Sequence, residues 1–243
     1  MALREIAPFP GEFGYAQARA QARCAERVTD GGWAALANVE GYCAFLERAR
    51  ETGLRRWLRG ISAHAGPHEI ERQLRRELRE AIAEAVRWTP APWRAAVEWT
   101  EGLVYLPLVQ RALAEGMTEA WMRDDPEIAA LAERGWASLD RWHEEWRRRW
   151  PPCGTRAGEA LERLVARVRL HLDSLAGLAS AAHLPGRDVW ARRRELQAHL
   201  QRLFRIEAMS PAALFGYLLL VALELERLRG ELARRAVFDA EAA

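Results

Sequence analysis

Between Ser210 and Phe238 the chain carries one long helical pattern, and that pattern constrains the fold more than any other feature. Ser210-Pro211 is a helix start, a hydroxyl cap followed by a proline at a position whose missing N–H costs nothing. Leu214, Leu218, Val221, Leu225, Leu228 and Leu232 then recur at alternating spacings of four and three, which puts six aliphatic side chains on one stripe. Glu224, Glu226, Arg227, Arg229, Glu231, Arg234 and Arg235 fill the remaining surface. A stripe of this length must be buried against other helices, so the end of the chain is structural.

The rest of the sequence has the same helical period and no convincing two-residue alternation, which predicts an all-α fold. A first helix is expected over Glu12–Val28, stopped at Asp30-Gly31-Gly32, and a second over Trp33–Glu51, stopped at Thr52-Gly53. Gly66-Pro67 opens a third, with Ile70, Leu74, Leu78 and Ile82 on one face and Glu71–Arg75 as a pair four residues apart. Thr89-Pro90-Ala91-Pro92 breaks the chain, because residues before proline avoid the helical region. The helix from Pro92 to Glu115 is expected to kink at Pro107. Asp125-Pro126 caps another, striped by Ile128, Leu131, Trp136, Leu139, Trp142, Trp146 and Trp150. Pro151-Pro152-Cys153-Gly154 is a linker, after which Thr155 precedes a helix ended by Leu184-Pro185-Gly186, and Val189–Ile206 leads into the last one. These lengths predict a multi-helix bundle or shell of about eight to ten helices. It is read as a single all-α domain over residues 1–243, with any sub-lobes divided near 151–154.

Composition narrows the function classes. All 36 basic residues are arginine and Asn38 is the one asparagine, a usage that fits an Arg- and Ala-rich genome better than selection for anion contacts. The net charge of +2 is far from the basic balance of a nucleic-acid binder. Charge is uneven locally: Arg187, Arg192, Arg193, Arg194, Arg202 and Arg205 face only Asp188 and Glu195 over residues 187–205, a run that is either a solvated helix face or a surface for an acidic partner. Cys24, Cys43 and Cys153 lack metal-ligand spacing and read as reduced thiols of a cytoplasmic protein. No apolar signal core opens the sequence, and the apolar run Ala212–Leu223 is short of the ~20 residues that a membrane span needs.

Candidate chemistry is sparse. His64, His68 and Glu69 lie close in sequence, but Gly66-Pro67 keeps the two histidines off one helix face, which argues against a zinc pair. His143-Glu144-Glu145 beside Asp140 could do acid–base work under a pocket, and reads equally as a mixed-charge helix face. Asp124-Asp125-Pro126-Glu127 resembles the magnesium cluster of helical isoprenoid synthases without their second metal-binding element, so Asp125 is read as a cap. No phosphate loop and no nucleophile with an identifiable base is present, and neither a cofactor nor a metal is expected. The 11 tryptophans are either fillers of an Ala-rich core or interface anchors. An alternative function, a soluble enzyme or ligand-binding bundle, would use a pocket lined by Trp136, Trp142 and Trp146.

Both ends carry a family resemblance. Pro211, the apolar run, then Glu224-x-Glu226-x-Leu228-Arg229 and the basic pair Arg234-Arg235 resemble the end of the C subunit of prokaryotic V-type ATPases, the counterpart of the eukaryotic d subunit. Phe13-Gly14-Tyr15 through Ala18-Arg19 to Arg23 is similar to that family's opening helix. The resemblance covers residues 9–50 and 205–238. Family members are longer, with three similar helical lobes, so this chain reads as a divergent, shortened relative whose middle matches only in helical character and scattered positions such as Val104–Leu113. The resemblance implies a funnel-shaped, non-catalytic adaptor whose terminal helices pack together. It would couple the rotor shaft to the membrane proteolipid ring during proton or sodium transport. Such a protein is cytoplasmic and peripheral to the inner membrane through its complex. Arg192, Arg193, Arg194, Arg234 and Arg235 are the expected partner contacts.

Overall fold

The computed structural model describes residues 12–104, 139–180 and 189–242. The fold is all-α, and no strand occurs among the described residues. The helices are α1 (Gly14–Ala25), α2 (Asp30–Ala37), α3 (Tyr42–Arg50), α4 (Pro67–Trp88), α5 (Arg94–Glu98), α6 (Leu139–Arg147), α7 (Thr155–Ser180), α8 (Val189–Ile206) and α9 (Pro211–Ala242). Short 3-10 turns lie at Gly53–Trp57, Ala91–Trp93 and Trp99–Val104. The expected kink at Pro107, the cap at Asp125-Pro126, the stripe residues Ile128, Leu131 and Trp136, and the stop at Leu184-Pro185-Gly186 lie outside the described residues.

The chain divides into two compact units, one made of residues up to Ala81 together with Cys153 onward, the other of Ile82–Pro152. In the first unit α9 is the central element, packed by α7, α8, α1 and α3. Ser210 caps it, its Oγ accepting from Ala213 N at 3.4 Å. All six stripe residues are buried, Leu228 and Leu232 completely. Burial goes beyond the stripe: Ala212, Ala213, Phe215 and Tyr217 are covered as well, so the first two turns are enclosed on every side. The helix is therefore less one-sided than its spacing predicts, as a helix at the middle of a bundle must be. The terminal helices do pack together, and Met209 N at the head of α9 donates to Gln17 Oε1 of α1 at 3.2 Å.

Three expected elements change, and the helix expected from Pro92 is, over its described part, the short α5 between two 3-10 turns. Asp30-Gly31-Gly32 opens α2 instead of closing α1, because Thr29 is a good N-cap whose Oγ1 accepts from Gly32 N at 3.2 Å. The helix expected over Trp33–Glu51 is two helices, interrupted at Gly41, whose φ of 75° is open to glycine and costly for other residues. Gly53 is constrained differently: a Cβ there would lie 1.7 Å from the Glu26 carbonyl oxygen, so two backbone segments touch. Gly53→Ala is expected to cost about 3 kcal/mol, as overpacking that only a backbone shift can relieve. A urea midpoint unchanged by that substitution would show that the segments can part freely.

α4 begins at Pro67, as the sequence indicates, and carries a buried carboxyl. Glu77 is 6 % exposed, and burial pushes its carboxyl above the ordinary range even though Gln73 Nε2 donates to its Oε1 at 2.9 Å. With the folded value above the unfolded one, this group's contribution to stability falls as pH rises through the folded value. Glu77→Gln is thus expected to melt about 2 °C higher than the parent at neutral pH. That gain should shrink as pH falls towards about 4, where the unfolded carboxyl also takes up its proton. An equal gain at both pH values would rule out the carboxyl's charge as the cause.

The second unit is organised by tryptophan. Trp99 and Trp142 exchange hydrogen bonds, each indole Nε1 donating to the other's carbonyl oxygen, at 3.1 and 3.2 Å. Trp146 Nε1 donates to Ala96 O at 2.9 Å, Trp142 stacks on Trp146 at 5.4 Å, and Trp150 meets Trp146 edge-on at 4.9 Å. The Arg149 guanidinium lies 3.6 Å over the Trp99 ring.

Candidate functional site

The residues of the C-terminal motif each reach a different part of the first unit. Val221, Glu224, Leu225 and Leu228 share one helix face by their spacings of three and four, so Glu224 is carried inward with the stripe and is 4 % exposed. Its Oε1 accepts from Val28 N at 3.3 Å and faces Arg27 Nε at 3.5 Å, and its Oε2 accepts from the Trp57 indole at 3.1 Å. One carboxylate so ties α9 to the α1–α2 connection and to the 3-10 turn after α3. Beside it lies a small cleft edged by Arg23, Glu26, Arg56 and Tyr217, with free space for a guest of about water's size. Glu26 receives Arg23 at 3.1 Å and stands 4.0 Å from Arg56, whose guanidinium lies over the Trp57 ring.

Glu226 pairs with Arg193 of α8, and Arg229 donates to Glu71 of α4 at 3.1 Å. Glu71 also stands 4.0 Å from Arg75, the pair that the sequence suggested, but its closer partner comes from α9. Leu228 has no exposed surface. At the other end of the chain Ala18, Arg19 and Tyr15 face outward on α1, Tyr15 being 62 % exposed, and Arg23 turns towards Glu26.

The five arginines expected to meet a partner split into two groups. Arg192, Arg194 and Arg234 are exposed, with Arg192 and Arg234 held by Glu195 and Glu231 at 3.3 and 3.2 Å. Arg193 turns in to Glu226. Arg235 is only 5 % exposed: it donates to the carbonyls of Leu36, Ala37 and Val39 at 3.4, 3.4 and 3.1 Å, with its guanidinium over the Phe45 ring. A cation at a helix C-terminus satisfies orphan carbonyls and opposes the negative end of the dipole. Arg235 is thus an internal cap for α2, and its burial removes it from any partner surface.

The groups suggested for chemistry do not converge. His143 is buried beside Trp146, whereas Asp140 and Glu144 of the same helix are exposed. Glu145 is held by Arg149 and Arg148, and the hydrogen bond from Arg149 keeps its carboxyl below its usual range. Trp142 and Trp146 are core residues with their indole N–H groups bonded to backbone, and Trp136 and Asp124–Glu127 lie outside the described residues. His64 and His68 are both exposed, the first in the loop before α4 and the second in its first turn. The three cysteines are free thiols, and burial pushes Cys24 up to about 11. Among the described residues no group of three or more His, Cys, Asp or Glu could hold a metal ion. No helix among them is long and apolar enough to cross a membrane.

Glu224, expected on the surface left over by the stripe, is instead buried. It stands three residues after Val221 and four before Leu228, beside the stripe, and a carboxylate there needs donors from elsewhere in the chain. Which donors it finds, 167 and 196 residues away, is not a local property. No family model, no curated protein and no solved structure matches the chain.

Proposed function

We propose that this protein is a non-catalytic adaptor of a V-type rotary ATPase, seated between the rotor shaft and the membrane proteolipid ring and passing torque between them. The observation that carries this reading is the meeting of the two segments that resemble the V-type C subunit. The α1 segment Tyr15–Arg23 and the α9 segment Pro211–Arg235 lie in one unit, and Glu224 joins the second to the connection that follows the first. An adaptor under torque needs this property, because a load applied at one end of the chain must not peel it from the other. The reading is also supported by polar side chains at the motif that are spent on holding helices together, through Glu224, Glu226 and Arg229.

Binding tests the proposal. The tagged, purified chain is expected to retain the central-stalk subunits and the proteolipid ring of the same organism in a pull-down, at physiological salt. Failure to retain either one would overturn the adaptor reading.

A further inference from the structure

The outward arc of α8 and the loop after it present a combination that the folded chain itself does not use. Arg202, Arg205 and Ile206 share the exposed face of the helix, and Met209 continues it. Ile206 is 64 % and Met209 57 % exposed. Met209 is held in water by a backbone that other residues rarely adopt, with φ at 61°. The loop is fixed on either side of that strain, by the bond from Met209 N to Gln17 Oε1 and by the Ser210 cap. Arg202 and Arg205 make no ion pair among the described residues. The acids nearest in sequence are already matched, Glu195 to Arg167 and Arg192, Glu207 to Arg163 at 3.8 Å.

Two uncompensated guanidiniums next to two solvated apolar side chains make two demands on whatever covers them. The cations favour anions, and the apolar groups favour hydrocarbon directly behind those anions. A bilayer interface containing anionic lipid offers both in that order. We propose that this corner of the first unit, formed by Arg202, Arg205, Ile206 and Met209, docks on the anionic headgroup surface of a membrane. The inference does not rest on the adaptor reading, because the isolated chain should bind lipid whether or not it joins a rotary complex.

Sedimentation of the full chain with vesicles tests it. The chain is expected to pellet with phosphatidylcholine vesicles that contain phosphatidylglycerol, to stay in solution with phosphatidylcholine alone, and to bind less as salt is raised. Arg202→Gln with Arg205→Gln should weaken binding about 25-fold, at roughly fivefold for each arginine near the surface. Ile206→Ser with Met209→Gly should weaken it as well, with the Met209 N–H kept. Arg48→Gln with Arg55→Gln, two exposed arginines on other elements, should leave binding unchanged. No pelleting with the anionic vesicles would overturn the proposal, and so would equal binding to both vesicle types or an equal loss in the Arg48/Arg55 pair.

Discussion

Glu224→Ala is expected to lower the melting temperature by about 10 °C, although it removes a single side chain from a helix that keeps its whole apolar stripe. The carboxylate has 4 % of its surface exposed and accepts from the Trp57 indole and Val28 N while facing Arg27. Its loss leaves one buried and one half-buried N–H donor without an acceptor, and an arginine whose side chain is 12 % exposed without its counter-ion. Breaking a buried pair from one side costs about 3–5 kcal/mol, against a total stability of about 5–15 kcal/mol for a domain. In a chain of this size each kcal/mol moves the transition by about 2–4 °C. Removing the arginine too separates charge from packing: Arg27→Ala added to Glu224→Ala should restore part of the loss, because the stranded cation is gone. A double variant that melts as far below the single as two independent losses require would show that the carboxylate and the arginine are not coupled.

Leu225→Asp should have a larger effect, abolishing the cooperative melt at room temperature. Leu225 is 4 % exposed and lies on the stripe between Val221 and Leu228, both still more deeply buried. The substitution loses apolar burial worth about 2 kcal/mol and forces a charge into a buried position on an apolar stripe. Together these reach the size of the whole stability of a typical domain. A circular dichroism melt unchanged by the substitution would show that α9 is not docked at this turn.

The two substitutions also show what could be read from the sequence and what could not. Leu225 is legible, because a repeat of threes and fours places six side chains on one face by helix geometry alone, and all six are buried. Glu224, expected on the polar surface, is buried beside the stripe, because the donors that let a carboxylate stay there come from the other end of the chain. Arg235 was misplaced for a related reason. A basic residue near a helix end reads as surface until the carbonyls of another helix, ending at Ala37, are brought to it. The boundaries at Asp30 and Gly41 turned on local chemistry, where the capping hydroxyl of Thr29 outweighed two glycines and a single positive φ divided one helix into two. In the tryptophan cluster, Trp142 and Trp146 were legible as helix neighbours four residues apart. Their bonds to the carbonyls of Trp99 and Ala96 depend on a segment 43 and 50 residues earlier. Spacing decides which face turns inward, and only the tertiary fold decides what that face meets.

The adaptor reading is tested most directly by native mass spectrometry of the rotary ATPase extracted from the membranes of the source organism. This chain should appear as a stoichiometric component, leaving together with the rotor shaft when the soluble part is stripped from the ring. An intact, ion-translocating complex that lacks the chain would contradict the account.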